Sequence, residues 1–479
     1  MFSRLTILAC LVTVCLTGCV RFEDKPISAA ASAERLEARS LSDTNFRAFL
    51  ETNLHRTFTD WPLTNWDFPA LTLAAFYFHP SLDVARAQWA VVRGGETTAG
   101  ARPNPILGVT PGYSGNPAKG VSPWFPSVTL DVPIETAGKR GYRQAHAAQL
   151  SEAARLNIAI AAWQVRSGVR TALDEYTAAQ TRVMGLQQML RSQQEMTGLL
   201  EQRLKAGAIS GTELVPVHIA LTKLRIDIGE ADRLSRAARG KIAEALGVPL
   251  EATRDMLFSA HYEGRTEPAL RAAFNEFANH FSAPVARRAA LQGRSDVLAA
   301  LAEYAATQSA LQLEIAKQYP DLHLNPGYQF DQGENKWTLG LSVELPVLYR
   351  NQGGIAEAKA RRDEAAARFT ALQMKIIAQV DQAVLGCQLA TASSIRLVEL
   401  KTEQLQQVKN LQKAFELGGA DRVEVLGAES EHATTQLAIL EAEAKERLAY
   451  GALEDALQQP FDGLDTVERD PKLQAAKDQ

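Results

Sequence analysis

Pro105-Ile106-Leu107-Gly108-Val109-Thr110-Pro111-Gly112-Tyr113 and Pro320-Asp321-Leu322-His323-Leu324-Asn325-Pro326-Gly327-Tyr328 are two versions of one sentence, 215 residues apart. Both place Leu at the third position and end in Pro-Gly-Tyr. In the second, Leu322, Leu324, Tyr328 and Phe330 alternate with His323, Asn325 and Gln329. A period of two reads as strand with one apolar face. Each version is followed by another alternating run, Val128-Thr129-Leu130-Asp131-Val132-Pro133-Ile134 and Trp337 to Leu345. About ten residues is the length of a tilted membrane-crossing strand. The expected strands are 105–114, 126–135, 320–331 and 337–346.

Working outward, the correspondence continues. Val132-Pro133-Ile134 and Gly141 match Leu345-Pro346-Val347 and Gly354 at an offset of 213. Gly207, Glu213, Leu214, Leu246 and Pro249 match Gly418, Glu424, Val425, Leu457 and Pro460 at an offset of 211. The offset shrinks in one direction by short deletions, which marks a tandem duplication of a unit of about 200 residues. Each unit opens with a helical stretch, Ser81–Ala101 and Ser295–Gln318. After the strands comes a proline-free run, Gly141–Lys205 or Gly354–Leu417. In the first, Val165, Val169, Leu173, Tyr176, Val183, Leu186 and Leu190 recur at coiled-coil spacing. Such a helix would run about 98 Å. Turns around Gly207 and Gly418, read as helix C-caps, reverse the chain, with Ser210 and Asp421 as N-caps of the returning helices.

The chain has 479 residues, 46% hydrophobic and 22% charged, with a formal net charge of −4. That balance excludes a phosphate-binding nucleic-acid partner and a helical membrane transporter. Arg4 precedes an apolar run, Leu5–Leu16, too short to span a bilayer but right for a secretory signal. It ends in Leu16-Thr17-Gly18-Cys19, which resembles a bacterial lipobox. Cleavage before Cys19 removes Cys10 and Cys15 and attaches lipid to Cys19, leaving Cys387 as the one unmodified thiol. Cys387 continues the series Ile377, Val380, Val384 and is expected to be buried. The residue after Cys19 is Val20, which by resemblance to lipoprotein sorting favours the outer membrane.

Four strands cannot close a barrel, and an open sheet edge is not tolerated in lipid. Copies of the chain must complete it: a dimer gives eight strands, a trimer twelve, the latter wide enough for a conduit. Thr129, Asp131, Thr338, Ser342 and Glu344 would face a wet interior, with Asp131 and Glu344 as candidate lumen residues.

The duplicated order of helix, two strands, long helix and return helix resembles the TolC-like outer-membrane efflux protein family. Ala101-Arg102-Pro103-Asn104-Pro105, the turn Gly207-Ala208-Ile209-Ser210 and the following Glu213-Leu214 carry the same resemblance. It covers about Leu71 to Pro460. It implies a mainly α fold with a small β part, trimerising into a 12-strand outer-membrane barrel and a periplasmic α-helical barrel. It further implies docking to a periplasmic adaptor and a proton-driven inner-membrane pump. Glu135-Thr136-Ala137-Gly138-Lys139-Arg140 looks like the cobalt–zinc–cadmium resistance branch, with Lys139 and Arg140 expected near headgroups; the second unit has Leu348-Tyr349-Arg350-Asn351 instead. In the family, acidic residues at Glu213 and Glu424 face the periplasmic entrance, and Phe415 sits where an aromatic gate residue can stand. A first-turn glutamate favoured by the helix dipole accounts for either acid equally well. The corresponding division is a signal peptide 1–18, an anchored segment 19–70, repeats 71–250 and 294–461 about a linker 251–293, and a tail 462–479.

No catalytic centre is legible. The eight histidines form no H-x-x-x-H or H-E-x-x-H, and no phosphate-binding loop or nucleophile elbow occurs. No metal site and no cofactor beyond the lipid on Cys19 is expected. The function expected is an outer-membrane efflux conduit for small solutes, metal ions or drugs. The alternatives are an export channel for a secreted protein and a periplasmic adaptor or scaffold lipoprotein.

Overall fold

Helices longer than sixty residues dominate the computed structural model, which describes residues 20–259 and 283–460. The expected signal peptide, Cys19, part of the linker and the tail 462–479 lie outside the described residues. The chain forms two units, Met1–Ser40 and Leu41–Gln479. The first contains α1 (Ala29–Glu37), started by Ser28, whose Oγ accepts from the Ala31 N–H at 3.4 Å.

In the larger unit, α2 (Thr44–Leu54), β1 (Asn65–Trp66) and α3 (Phe68–Phe78) precede α4 (Pro80–Gly100). Then follow β2 (Ile106–Thr110), β3 (Ser127–Ile134), α5 (Lys139–Lys205) and α6 (Gly211–Leu246). A 3-10 turn (Leu250–Thr253) leads to β4 (Leu257–Phe258). The second half runs α7 (Ala283–Gly293), α8 (Ser295–Ala316), β5 (Leu322–Asp331), β6 (Glu334–Val343), α9 (Gln352–Glu416) and α10 (Arg422–Leu457). The 67 residues of α5 make a rod of about 100 Å at 1.5 Å per residue.

Two strand ends and one segment differ most from the sequence reading. β2 ends at Thr110 because Pro111 has no N–H to extend the ladder; Tyr113 and Trp124 meet farther out in an isolated bridge. β6 starts at Glu334 because Gln332 and Gly333, both at positive φ, make a two-residue hairpin turn. The segment 19–70 is more than an anchor: β1 pairs in parallel with β4, Asn65 opposite Leu257 and Trp66 opposite Phe258.

Among the described residues the two larger apolar clusters are built mainly on helices, and a smaller one gathers Leu186, Leu224 and Ala231. In the first, Phe46, Trp66, Phe68 and Leu71 pack against Leu173, Ile242 and Leu246. Val165, Val169, Leu173 and Tyr176 come from one face of α5, at steps of four, four and three. The second joins Ile376, Val380 and Cys387 of α9 to Tyr450, Leu453 and Leu457 of α10. Cys387 is 3% exposed, and its Sγ lies 3.2 Å from the Ala449 carbonyl. Burial pushes this thiol up to about 12, with the Glu446 charge adding to the effect. One window of α9 is apolar and long enough to cross a membrane by composition, and 17% of it is buried. A large apolar face of that helix is therefore left without a partner in the single chain.

The four long strands form one antiparallel sheet in the order β2-β3-β5-β6. Both units contribute one hairpin, so the duplication meets at the β3–β5 seam. Its register places Val128 opposite Tyr328, Thr129 opposite Gly327 and Val132 opposite Leu324. The outer strands β2 and β6 are each hydrogen-bonded on one side only.

Candidate functional site

Register sorts the sheet into two chemically distinct faces, because directly opposed residues share a face. One face carries Leu107, Val109, Val128, Leu130, Val132, Leu324, Tyr328, Trp337, Leu339 and Leu341. Trp337, Leu339 and Leu341 are 79%, 74% and 68% exposed, an apolar surface that no other described residue covers. The other face carries Thr129, Asp131, His323, Asn325, Gln329, Lys336, Thr338 and Ser342. Glycines bring its strands close: a Cβ at Gly327 would lie 2.7 Å from Thr338 Oγ1, and one at Gly108 2.8 Å from Thr129 Oγ1. Asp131 accepts from the His323 Nδ1–H at 2.9 and 3.1 Å. Asn325 Nδ2 donates to Ser342 Oγ at 2.9 Å. Glu344 lies one residue beyond β6, exposed and outside the ladder, so the structure does not bring it to Asp131.

The joint below the sheet explains the Glu135–Arg140 segment. Lys139 is buried at 8% exposure, with Nζ 2.8 Å from Asp321 Oδ1 at the foot of β5. Thr136 N–H donates to the same oxygen at 2.9 Å, and Thr136 Oγ1 donates to the Pro320 carbonyl at 2.6 Å. Arg140 Nε reaches the Gly100 carbonyl at 2.8 Å, while Arg143 Nη2 reaches that of Ala101 at 3.2 Å and pairs with Glu135. These guanidinium groups sit on the last carbonyls of α4, where the helix dipole favours cations. Lys139 and Arg140, expected near the headgroups, are both engaged in internal contacts at this joint. At the equivalent joint of the second unit, Asn351 Nδ2 donates to the Glu314 carbonyl at 2.9 Å and to Glu314 Oε2 at 2.7 Å.

At the hairpin tips, Gly207 (φ 71°) and Gly418 (φ 75°) take the left-handed conformation that an L side chain would strain. Ala208 N–H bonds back to the Arg203 carbonyl, and Gly419 N–H to that of Ala414, the six-to-one closure of a Schellman end. The following Ser210 and Asp421 start α6 and α10 with capping boxes. Glu213 Oε1 accepts from Ser210 N–H at 3.0 Å, and Glu424 Oε2 from Asp421 N–H at 3.2 Å. Each candidate gate carboxylate is thus bound within its own turn while still exposed, and no hydrogen bond joins the two. Phe415 is 43% exposed, not a core residue.

The groups that tie the two hairpins together were not legible in the sequence. All lie between α5 and α10. Arg203 pairs with Asp421, and Arg422 reaches Glu195 at 2.7 Å. The Arg203 hydrogen bond is the main reason the Asp421 carboxyl is held below its ordinary value. Arg182 pairs with Glu441 halfway along. Nearer the sheet the pairs are buried: Arg166 and Arg170 both meet Glu454, and Arg170 Nη2 meets Asp455 at 2.6 Å. Trp163 Nε1 and Ser167 Oγ complete Asp455 at 3.0 and 2.6 Å. A Cβ at Gly451 would come within 2.6 Å of Arg170 Nε, so only glycine admits this guanidinium. The one signal in the sequence is Arg166 and Arg170, four residues apart on one face of α5. Among the described residues, no three His, Cys, Asp or Glu side chains are grouped to hold a metal.

With this geometry in place, comparison is informative. The outer membrane efflux protein family matches residues 286–458, which is the second helical hairpin with its strands. The chain carries an outer membrane efflux protein domain on a TolC-like fold. The resemblance read from the sequence thus meets a matching model over the second repeat, one described as outer membrane efflux protein. The chain is 24% identical to the cobalt-zinc-cadmium resistance protein CzcC of Cupriavidus metallidurans over 303 residues, covering 63% of this chain and 69% of that one. Solved structures extend the likeness to the parts outside the family match. The outer membrane protein VceC of Vibrio cholerae superposes with a TM-score of 0.65 at 18% identity, over 82% of this chain and 96% of that one. The outer-membrane channel OprN gives 0.67 at 18% identity, over 93% and 99%. The fold of these solved channels therefore extends over both repeats, not the second alone.

Proposed function

We propose that three copies of this chain form the outer-membrane conduit of a multi-component efflux system. The observation that carries this reading is the sheet. It has one lipid-compatible face, one polar face and two unpaired edges, so β2 of one copy is the natural partner of β6 of the next. Three copies give a twelve-stranded barrel whose polar face, with Asp131 and near its rim Glu344, lines the passage. The uncovered apolar faces of α6 and α9, including Ile219, Ile226, Leu385 and Leu389, pack between copies in the helical tunnel below.

Lipidation at Cys19 anchors the chain to the same membrane. Glu213, Glu424 and Phe415 surround the periplasmic entrance, with the Arg203–Asp421 and Arg422–Glu195 pairs holding neighbouring hairpins together there. The passage itself supplies no energy, so a periplasmic adaptor and a proton-driven inner-membrane pump complete the system. The likeness to CzcC supports divalent metal ions as the exported class.

Detergent extraction followed by mass measurement in solution tests the assembly: a trimer is expected. A monomer that stays soluble once Cys19 is replaced, and never associates with membranes, would sink the barrel. Growth of a deletion strain in zinc, cobalt and cadmium salts and in drugs tests the cargo; heightened sensitivity to the metals alone is expected.

A further inference from the structure

Of the histidines in the described residues, His323 alone lies on the polar face of the sheet, and its surroundings are unusual for a surface imidazole. Its Nδ1–H is committed to both oxygens of Asp131, on the neighbouring strand and diagonal to it in the register. That commitment fixes the tautomer: the second nitrogen, Nε2, keeps its lone pair. Among the described residues Nε2 makes no hydrogen bond, and the side chain is 40% exposed. Its direct neighbours on this face are Pro133 on β3 and Ser342 on β6, neither of which carries charge. Ser342 Oγ is already engaged by Asn325. A carboxylate holding one imidazole nitrogen while the other stays open is the arrangement that orients histidine toward a metal and raises its basicity.

We propose that His323 Nε2 is a weak coordination stop for divalent transition-metal ions of the zinc, cobalt and nickel type, with Asp131 as its positioning residue. Imidazole selects such ions over magnesium and calcium, which prefer oxygen ligands. One protein ligand, with water completing the sphere, holds a metal loosely. Loose binding is what a passage requires, since an ion must leave as readily as it enters. Three copies would place three such stops at one height in the barrel, near the end where β3 passes into α5. The inference rests on the conduit reading only in making this face accessible to cargo.

The test uses the full-length protein in detergent or nanodiscs and reads carbethoxylation of His323 by diethylpyrocarbonate, followed by peptide mass spectrometry. Zinc is expected to slow modification of His323 in a saturable way, and magnesium at equal concentration to leave it unchanged. Asp131→Asn should raise the zinc concentration for half-protection by about tenfold, the low end for loss of an outer-shell partner. Equal reactivity with zinc and with magnesium overturns the proposal, and this comparison on the unaltered protein stands even if the variant folds poorly. Half-protection unmoved in a folded Asp131→Asn variant overturns the positioning role. Zinc protection in a protein whose deletion leaves metal tolerance unchanged would keep the site and remove the metal-export reading.

Discussion

In the first unit the chain passes from β3 to α5 through Glu135–Gly138, and four charged side chains fasten that passage to α4 and β5. In the second unit it passes from β6 to α9 through Glu344–Asn351, and one amide does the fastening. Leu345, Val347 and Leu348 in this second passage are 70%, 75% and 97% exposed, whereas Lys139 in the first is buried. The duplicated fold has thus kept the joint and changed its chemistry. The difference follows position in the sheet. β3 lies inside and meets β5, so its joint can use Asp321; β6 lies at the edge, with β5 on one side and no strand on the other. An edge joint completed by another copy should be loose until assembly.

The sharpest way to break this comparison is at the buried charges linking the units. Glu454→Ala leaves Arg166 and Arg170 without their shared carboxylate. Breaking a buried pair costs about 3–5 kcal/mol, so a large fall in thermal midpoint of the detergent-solubilised protein is expected. A shift no larger than that of an exposed pair such as Arg233→Ala would show that the hairpins are held by packing alone. Next comes the joint itself. Hydrogen bonds to charged groups are worth about 1.5–3 kcal/mol and neutral ones about 0.5–1.5 kcal/mol. Arg143→Ala removes a two-pronged pairing with Glu135 and bonds to the Ala99 and Ala101 carbonyls. Asn351→Ala removes one bond to the Glu314 carboxylate and one to its carbonyl, so the first loss should be the larger. Equal losses would erase the asymmetry between units.

The tips give smaller effects. Glu213→Ala and Glu424→Ala each disrupt a capping box, at about 0.5–2 kcal/mol typical of a lost cap. Gln substitutions keep the box, since Gln accepts equally well at that position. If charge also matters at the entrance, the double Gln variant should weaken cation preference in planar-bilayer conductance with thermal stability unchanged; unaltered selectivity would leave capping as the whole role. The Asp421–Arg203 pair adds a pH signature. Because the folded carboxyl titrates below its unfolded value of about 3.9, its contribution is complete above that value and fades as pH falls through the lower, folded one. Protection from hydrogen exchange at the tip, corrected for the intrinsic rate, should therefore fall below about pH 4, and Arg203→Ala should abolish that fall. Smallest of all, Cys387 should resist alkylation at pH 8 until the protein is unfolded, since burial keeps it a thiol.

Local features were legible in the sequence, and distant pairings were not. Alternation at Leu322–Phe330 and the Ser210-to-Glu213 capping box are each set within a few residues, so pattern alone gives them. The β5–β6 turn was misplaced because Gln332 is an uncommon residue at positive φ and only Gly333 flagged it. The Lys139–Asp321 pairing was not legible because the partners are 182 residues apart, and nothing in either neighbourhood names the other. The same holds for Arg203 with Asp421, 218 residues apart. Asp131 was expected to face water, but its hold on His323 depends on the β3–β5 register, which no single strand encodes.

β2 has five residues and β6 has ten. In a ring of three chains, each junction between copies can be laced over no more than the shorter of the two. The hairpins within a chain can be laced along their full length. Such a cylinder is therefore three stiff staves with three short seams. Heat or detergent should part it along those seams first, releasing intact sheets before any strand within one comes undone.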